Sequence, residues 1–227
     1  MQPGHRNAQR LYNLNFHGLG ELKKTFSSGE ENYWLKPQIF GTILDSIRSR
    51  DDIQITFDDA NESDYTLALP LLQERKMRAR FFVVAQRINQ NGFLSSRQIQ
   101  MLHAEGMGIG NHGMRHCRWS TLSGRELHEE LVEAREKIEQ IVGEPVVEAA
   151  CPFGAYNRRV LRMLFDSGYR RVYTSDGGAA LAQSWIQPRN SILRTHDMAH
   201  VLRICDTVPS GITAFARSFK MFIKRWR

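Results

Sequence analysis

The chain has 227 residues, 41% of them hydrophobic, enough for one large domain with a substantial core. Lys and Arg outnumber Asp and Glu by 31 to 24, a formal net charge of +7, but the surplus gathers in Arg158–Arg171 and the C-terminal tail while Glu126–Glu139 is acid-rich, so no nucleic-acid partner is expected. Cys117, Cys151 and Cys205 are widely spaced with no CxxC pair, which excludes a disulfide framework or zinc knuckle; no apolar run reaches the roughly 18 residues of a bilayer span.

The first predicted strand is Leu11–Phe16, where apolar and polar residues alternate before His17-Gly18-Leu19-Gly20. Ser27–Asn32 reads as a polar turn. Pro37–Ile47 carries Ile39, Phe40, Ile43, Leu44 and Ile47 at helical spacing. Ile53–Phe57 is a strand with its odd positions on one face, and Tyr65–Leu72 a helix bent or broken at Pro70. Ala79–Ala85 is a buried strand, and Ser96–Glu105 a serine-capped helix closed by Gly106. Met107–Gly110 is too short to assign. Ser123–Val142 is the clearest helix: Ser123 and Glu126 form a capping-box pattern, and Leu127, Leu131, Ala134, Ile138 and Ile141 form its stripe. Val146–Ala150 is a strand, Arg158–Ser167 a helix and Arg171–Thr174 another strand.

This alternation of strand and helix implies parallel βα units in a single α/β domain over residues 11–205, between a tail (1–10) and a C-terminal segment (206–227). If the strands close into a barrel, their C-terminal ends carry the active site. Four segments then share one rim: Asp58-Asp59, His112, Cys151-Pro152-Phe153-Gly154 and Ser175-Asp176.

Asp59 with His112 and His116 is a divalent-metal ligand set that leaves positions open for water and substrate, and the spare carboxylate of Asp58 can serve as a base. Cys151, beside these groups, reads as a small buried residue. Gly106–Gly110 lacks the phosphate lysine and following helix of a nucleotide loop. In the tail, Phe215, Phe219, Phe222 and Trp226 are spaced 4, 3 and 4 apart among Lys220, Lys224, Arg225 and Arg227. That pattern predicts a basic amphipathic helix over 212–227, suited either to an anionic membrane surface or to packing on the barrel. Residues 1–7 lack the apolar core of a signal peptide, so a cytoplasmic location is expected, peripheral to the inner face of the membrane if the tail binds lipid.

Thr-Phe-Asp-Asp at 56–59, His-x-x-x-His at 112–116 and Pro-Phe-Gly at 152–154, in that order, resemble the polysaccharide deacetylases with a NodB homology domain, carbohydrate esterase family 4. The resemblance spans roughly residues 11–200, with Phe16-His17-Gly18 and Tyr33-Trp34 similar to members with an N-terminal extension. It implies a distorted (β/α) barrel and a hydrolase that removes acetyl groups from an N-acetylated or O-acetylated sugar in a polysaccharide or its precursor. Asp59, His112 and His116 would hold the metal, zinc first, with cobalt, nickel or manganese as substitutes. Asp58 would be the general base, and a backbone N–H in the turn of Phe153, Gly154 and Tyr156 would face the oxyanion.

Three departures from the family pattern stand out. Gly113 replaces the usual Ser or Thr, removing a hydroxyl next to a ligand. Ala150 replaces the arginine that pairs with the base, for which Arg189 and Arg194 are candidate substitutes. The acid histidine is matched imperfectly by His196, with Asp176 as its orienting partner. Trp185 is a candidate wall for the acyl group or sugar. Two alternatives stay open: a catalytically weak or inactive relative that binds glycan, and an amide or imide hydrolase acting on a small non-sugar compound.

Overall fold

The computed structural model describes residues 9–22, 29–206, 221–224 and 226. In chain order the strands are β1 (Arg10–Phe16), β2 (Gly18–Leu19), β3 (Trp34–Leu35), β4 (Ile53–Phe57), β5 (Ala79–Val83), β6 (Gly108–Asn111), β7 (Glu148–Ala150), β8 (Arg171–Thr174), β9 (Ala180–Leu181) and β10 (Ile186–Ser191). The α-helices are α1 (Pro37–Ile47), α2 (Leu69–Glu74), α3 (Ser96–Ala104), α4 (Gly124–His128), α5 (Ala134–Val142), α6 (Arg158–Asp166) and α7 (Met198–Asp206). The main sheet runs β10-β8-β7-β6-β5-β4-β1-β9, and β10 also pairs with β1. The parallel strands thus close into a barrel, with the short antiparallel β9 added at the start of β1.

Alternation along each strand sorts side chains between the barrel interior and the helical layer. Ile55 and Phe57 of β4 join the outer core, where the Phe57 ring stacks on Phe81 at 5.0 Å and meets Phe40 of α1 edge-on at 5.5 Å. Thr56, between them, faces inward and donates to the Asn15 side chain at 2.7 Å. A second core under α4 to α6 gathers Trp119, Leu127, Leu131, Val160 and Leu164. Helix starts follow their sequence signals: Ser95 caps α3 and Ser123 caps α4, both with complete capping boxes.

Between residues 9 and 206 the predicted strands and helices lie in the barrel or its helical layer, most with shifts of a residue or two at their ends. The bend expected near Pro70 is a π-turn at Asp64–Ala68 that leads into α2. The long helix of 124–142 likewise contains a π-turn, at Glu129–Glu133, between α4 and α5. Each widened turn carries one fully buried acid, Asp64 or Glu130. The barrel-closing strand β10 and helix α7 were not legible as elements. Most of the predicted tail helix, the residues before Gln9 and the beginning of the Ser27–Asn32 turn lie outside the described residues.

Candidate active site

The site forms where β1, β4, β6 and β10 end. The Asp58 N–H continues the ladder by donating to the Phe16 carbonyl at 3.0 Å. The chain then turns sharply: Asp59 and Ala60 have φ of 79° and 60°, a strained left-handed pair. Both aspartates are buried.

Arg189, on β10, grips Asp58 through two parallel bonds, Nη1 to Oδ1 at 2.6 Å and Nη2 to Oδ2 at 2.7 Å. Asn15 of β1 adds a donor to Oδ2 at 3.0 Å, and its own amide oxygen accepts from Arg189 at 2.9 Å and from Thr56. Burial opposes the Asp58 charge, but the Arg189 guanidinium and then His112 hold its carboxyl far below the usual carboxylate range. The cation that Ala150 does not provide therefore comes from a different strand. Its guanidinium packs over the rings of Phe82 and Tyr173, at 5.3 and 6.0 Å, beside the small Ala150 side chain. Of the two arginines considered for this role, Arg189 meets Asp58. Arg194 is an exposed residue beyond the strand, where its backbone N–H bonds to Asn32.

Asp59, His112 and His116 converge, with one ligand atom from each lying within 4.8 Å of the others. The Nδ1 of His112 sits 2.9 Å from the Ala150 carbonyl, so the ring is pinned and Nε2 faces the aspartates, 3.8 Å from Asp58 and 4.0 Å from Asp59. His116 Nε2 is 3.2 Å from Asp59 Oδ1, which also accepts from Arg87 at 2.9 Å. Burial pushes the His112 imidazole down to about 4 and lowers His116 as well, so both rings are neutral and ready as ligands. A buried N,N,O donor set with neutral imidazoles and an ionised carboxylate fits a divalent cation.

Gly113 has φ of +88°, and a Cβ there would lie 2.3 Å from Glu130 Oε2 and 3.0 Å from Trp119 Nε1. The absent hydroxyl does not leave the loop unsupported. The buried Glu130 carboxylate accepts from the N–H groups of Met114 at 2.7 Å and Arg115 at 3.2 Å, and Arg115 also pairs with it through its guanidinium. Asn111 ties the same turn from the strand side, accepting from Gly113 N–H at 2.7 Å and donating to Tyr169 at 2.8 Å.

In the Pro152–Gly154 turn, Phe153 has φ of 57° and its ring lies 4.6 Å from that of His116. Tyr156 donates to Asp176 at 2.8 Å, and Lys224 of the C-terminal segment donates to the other Asp176 oxygen at 2.6 Å and to the Gly154 carbonyl at 3.0 Å. Asp176 is thus partnered by Tyr156 and Lys224. His196 lies past the end of β10, stacked on His200 at 4.0 Å, with its Nδ1 accepting from Leu193 N–H. Trp185 precedes β10 and therefore belongs to the opposite end of the barrel. Its indole N–H donates to the Tyr169 carbonyl at 2.7 Å and its ring packs on Phe165, which corrects its assignment to a substrate wall. Burial raises the Cys151 thiol to about 12, consistent with an inert side chain.

Three neighbours of the site, Asn15, Glu130 and Arg87, escape the sequence motifs, and a fourth, His17, lies in the Phe16-His17-Gly18 motif without a role attached to it there. Asn15 is foreshadowed by Asn13 and Asn15 alternating inside a buried strand, and Glu130 by being an acid on the apolar stripe of its helix. Arg87 leaves no such signal. The His17 ring meets that of Tyr33 at a tilt, with 4.6 Å between ring centres. Among the described residues its buried Nδ1 has no hydrogen-bond partner. Next to it, a cleft of about 390 Å³ opens between Leu19, Trp34, Leu67 and Asn61; the Asn61 amide donates to the His17 carbonyl at 3.3 Å.

Among known proteins, the family profile described as polysaccharide deacetylase matches residues 46–172. The peptidoglycan-N-acetylglucosamine deacetylase of Bacillus cereus is 33% identical over 124 residues, 54% of this chain and 56% of that protein. The chitooligosaccharide deacetylase of Rhizobium leguminosarum bv. trifolii is 28% identical over 125 residues, 55% of this chain and 56% of that protein. The chain spans about half the length of the curated relatives it matches. In fold it is similar to the Streptococcus pyogenes deacetylase PplD solved in complex with acetate, with a TM-score of 0.76 at 18% identity over 87% of this chain and 99% of that one.

Proposed function

This chain belongs to the polysaccharide deacetylase family, and we propose that it is a metal-dependent hydrolase that removes acetyl groups from an N-acetylated sugar in a polysaccharide or its precursor. The observation that carries this reading is the convergence of Asp59, His112 and His116 beside an aspartate clamped by a buried arginine. Asp59, His112 and His116 hold the metal, and zinc suits the donor set best. When bound, the ion supplies Lewis acidity toward water and the acetyl carbonyl.

The chain's own residues do the rest. Asp58 is ionised throughout the physiological range and is held in one orientation by Arg189 and Asn15, so it stands as an oriented proton acceptor for the attacking water. For the negative charge that develops on the carbonyl oxygen, the candidate donors are the backbone N–H groups of Phe153 and Tyr156, since those of Gly154 and Ala155 already donate to Cys151 and Pro152 within the turn. We assign the proton for the departing amine to His17, which follows β1 at the rim and whose buried Nδ1 has no hydrogen-bond partner among the described residues, in preference to His196, which accepts from Leu193 and stacks on His200. The cleft beside His17 accommodates the neighbouring part of the glycan.

The test is acetate release from N-acetylated chito-oligosaccharides by the purified chain with zinc, cobalt, nickel or manganese. Release that is lost in Asp58→Asn, and falls further in His17→Ala than in His196→Ala, is the expected result. No release with any of the four metals, alongside retained oligosaccharide binding, would replace the enzyme by a glycan-binding relative.

A further inference from the structure

The C-terminal segment brings an exposed aromatic and basic surface to the edge of the site. Residues 221–224 are helical, and Lys224 turns inward to Asp176 and the Gly154 carbonyl, with its ammonium 4.9 Å from the centre of the Tyr156 ring. This anchor leaves Phe222 54% exposed, Ile223 37% and Trp226 65%. The rings of Phe222 and Trp226 lie 5.6 Å apart, and the exposed Arg158 guanidinium sits 5.7 Å from Trp226. Phe153, one residue before the Lys224 anchor point, is itself half exposed and carries the Arg118 guanidinium 4.9 Å from its ring. A run of apolar side chains flanked by cations therefore starts at the turn that touches His116 and extends outward.

We propose that this surface docks the catalytic rim on an anionic lipid membrane. Besides Lys224, which pairs inward with Asp176, the segment 212–227 contains Arg217, Lys220, Arg225 and Arg227 and no acidic residue, a composition that complements a negatively charged headgroup layer, as do the exposed Arg158 and Arg118. Exposed Phe, Ile and Trp supply the apolar part that enters the headgroup–acyl boundary, where tryptophan is favoured. Ile223 and Phe222 add no hydrogen-bonding group, and the branched Ile223 gives a sugar ring no flat face to stack on, whereas both suit an acyl boundary. Because Lys224 fixes the segment to the rim, insertion of Trp226 would turn the open end of the barrel toward the lipid. The proposal goes beyond the deacetylase reading and does not depend on it.

Co-sedimentation of the full chain with phosphatidylcholine vesicles, with and without phosphatidylglycerol, tests it. The expected result is pelleting with the anionic vesicles only, weakened by salt, and at least tenfold weaker partitioning for a Phe222→Ser, Trp226→Ser double variant whose circular dichroism and urea-denaturation midpoint are unchanged. A second measurement needs no substitution: brominated phosphatidylglycerol should quench the tryptophan emission of the wild type. Absence of pelleting, equal pelleting of the double variant or absence of quenching overturns the proposal. So does loss of binding to an acidic glycan in the double variant when the wild type ignores vesicles, which would assign the surface to a polymer.

Discussion

Asp58 and Asp59 are neighbours in sequence with different surroundings, and that difference predicts different phenotypes. Asp58 faces Arg189 and Asn15, whereas Asp59 faces His116 and Arg87. Asp58→Asn should keep its metal and lose about 10²- to 10⁴-fold in rate, the usual worth of a general base. Asp59→Asn and His112→Ala should lose the metal itself, as measured by elemental analysis after gel filtration. His112 also sets a pH dependence. In the unfolded chain its imidazole takes up a proton near 6.5, but in the folded, metal-free protein burial holds it to about 4. Between those values the unfolded state binds more protons. This contribution is therefore fully present above about pH 6.5 and is lost progressively as the pH falls toward 4, amounting to about 3 kcal/mol. Urea denaturation of the chelator-treated protein at a series of pH values checks it; a flat profile between 6.5 and 4 would contradict the burial.

At the scale of elements, the loop after β6 depends on a helix two connections away. The π-turn at Glu129–Glu133 carries the buried Glu130, whose carboxylate holds the Met114 and Arg115 amides. Restoring the family's residue with Gly113→Ser should therefore damage the loop. It imposes a left-handed backbone on a residue with a Cβ and drives that atom into Glu130, at a combined cost of about 2–4 kcal/mol read from the denaturation midpoint. Glu130→Ala should loosen the same loop and speed metal loss. The histidine spacing was readable from sequence, but this support was not. Periodicity over 123–142 identifies a helix, yet one widened turn inside it is invisible to a 3.6-residue repeat. The only trace was an acid in the apolar stripe.

Across the whole molecule, strand and helix alternation made β1, β4, β5, β7 and β8 of the barrel legible, because each is an apolar or alternating run with a helix nearby in the chain, whereas β6, Gly108-Ile109-Gly110-Asn111, is too short and glycine-rich to show a period. The closing strand fails that test. Ile186-Gln187-Pro188-Arg189-Asn190-Ser191 contains a proline and mostly polar side chains, because the barrel interior at this point is a hydrogen-bonded network: Asn13 donates to Gln187, and Arg189 to Asn15 and Asp58. Arg189→Met should therefore do two things at once. It should abolish orientation of Asp58 and leave a buried carboxylate unpaired, destabilising the fold by about 3–5 kcal/mol; urea melts alongside acetate release would read both, and an unchanged melt would argue against the buried pair. That pairing has a further meaning. Asp58 and Arg189 are 131 positions apart, and the guanidinium reaches the carboxylate only when the last parallel strand seals against the first. Until that seam closes in register, Asp58 has no guanidinium to brace it. The orientation of the candidate base thereby reports completed closure, since it is supplied by the last parallel strand of the wall.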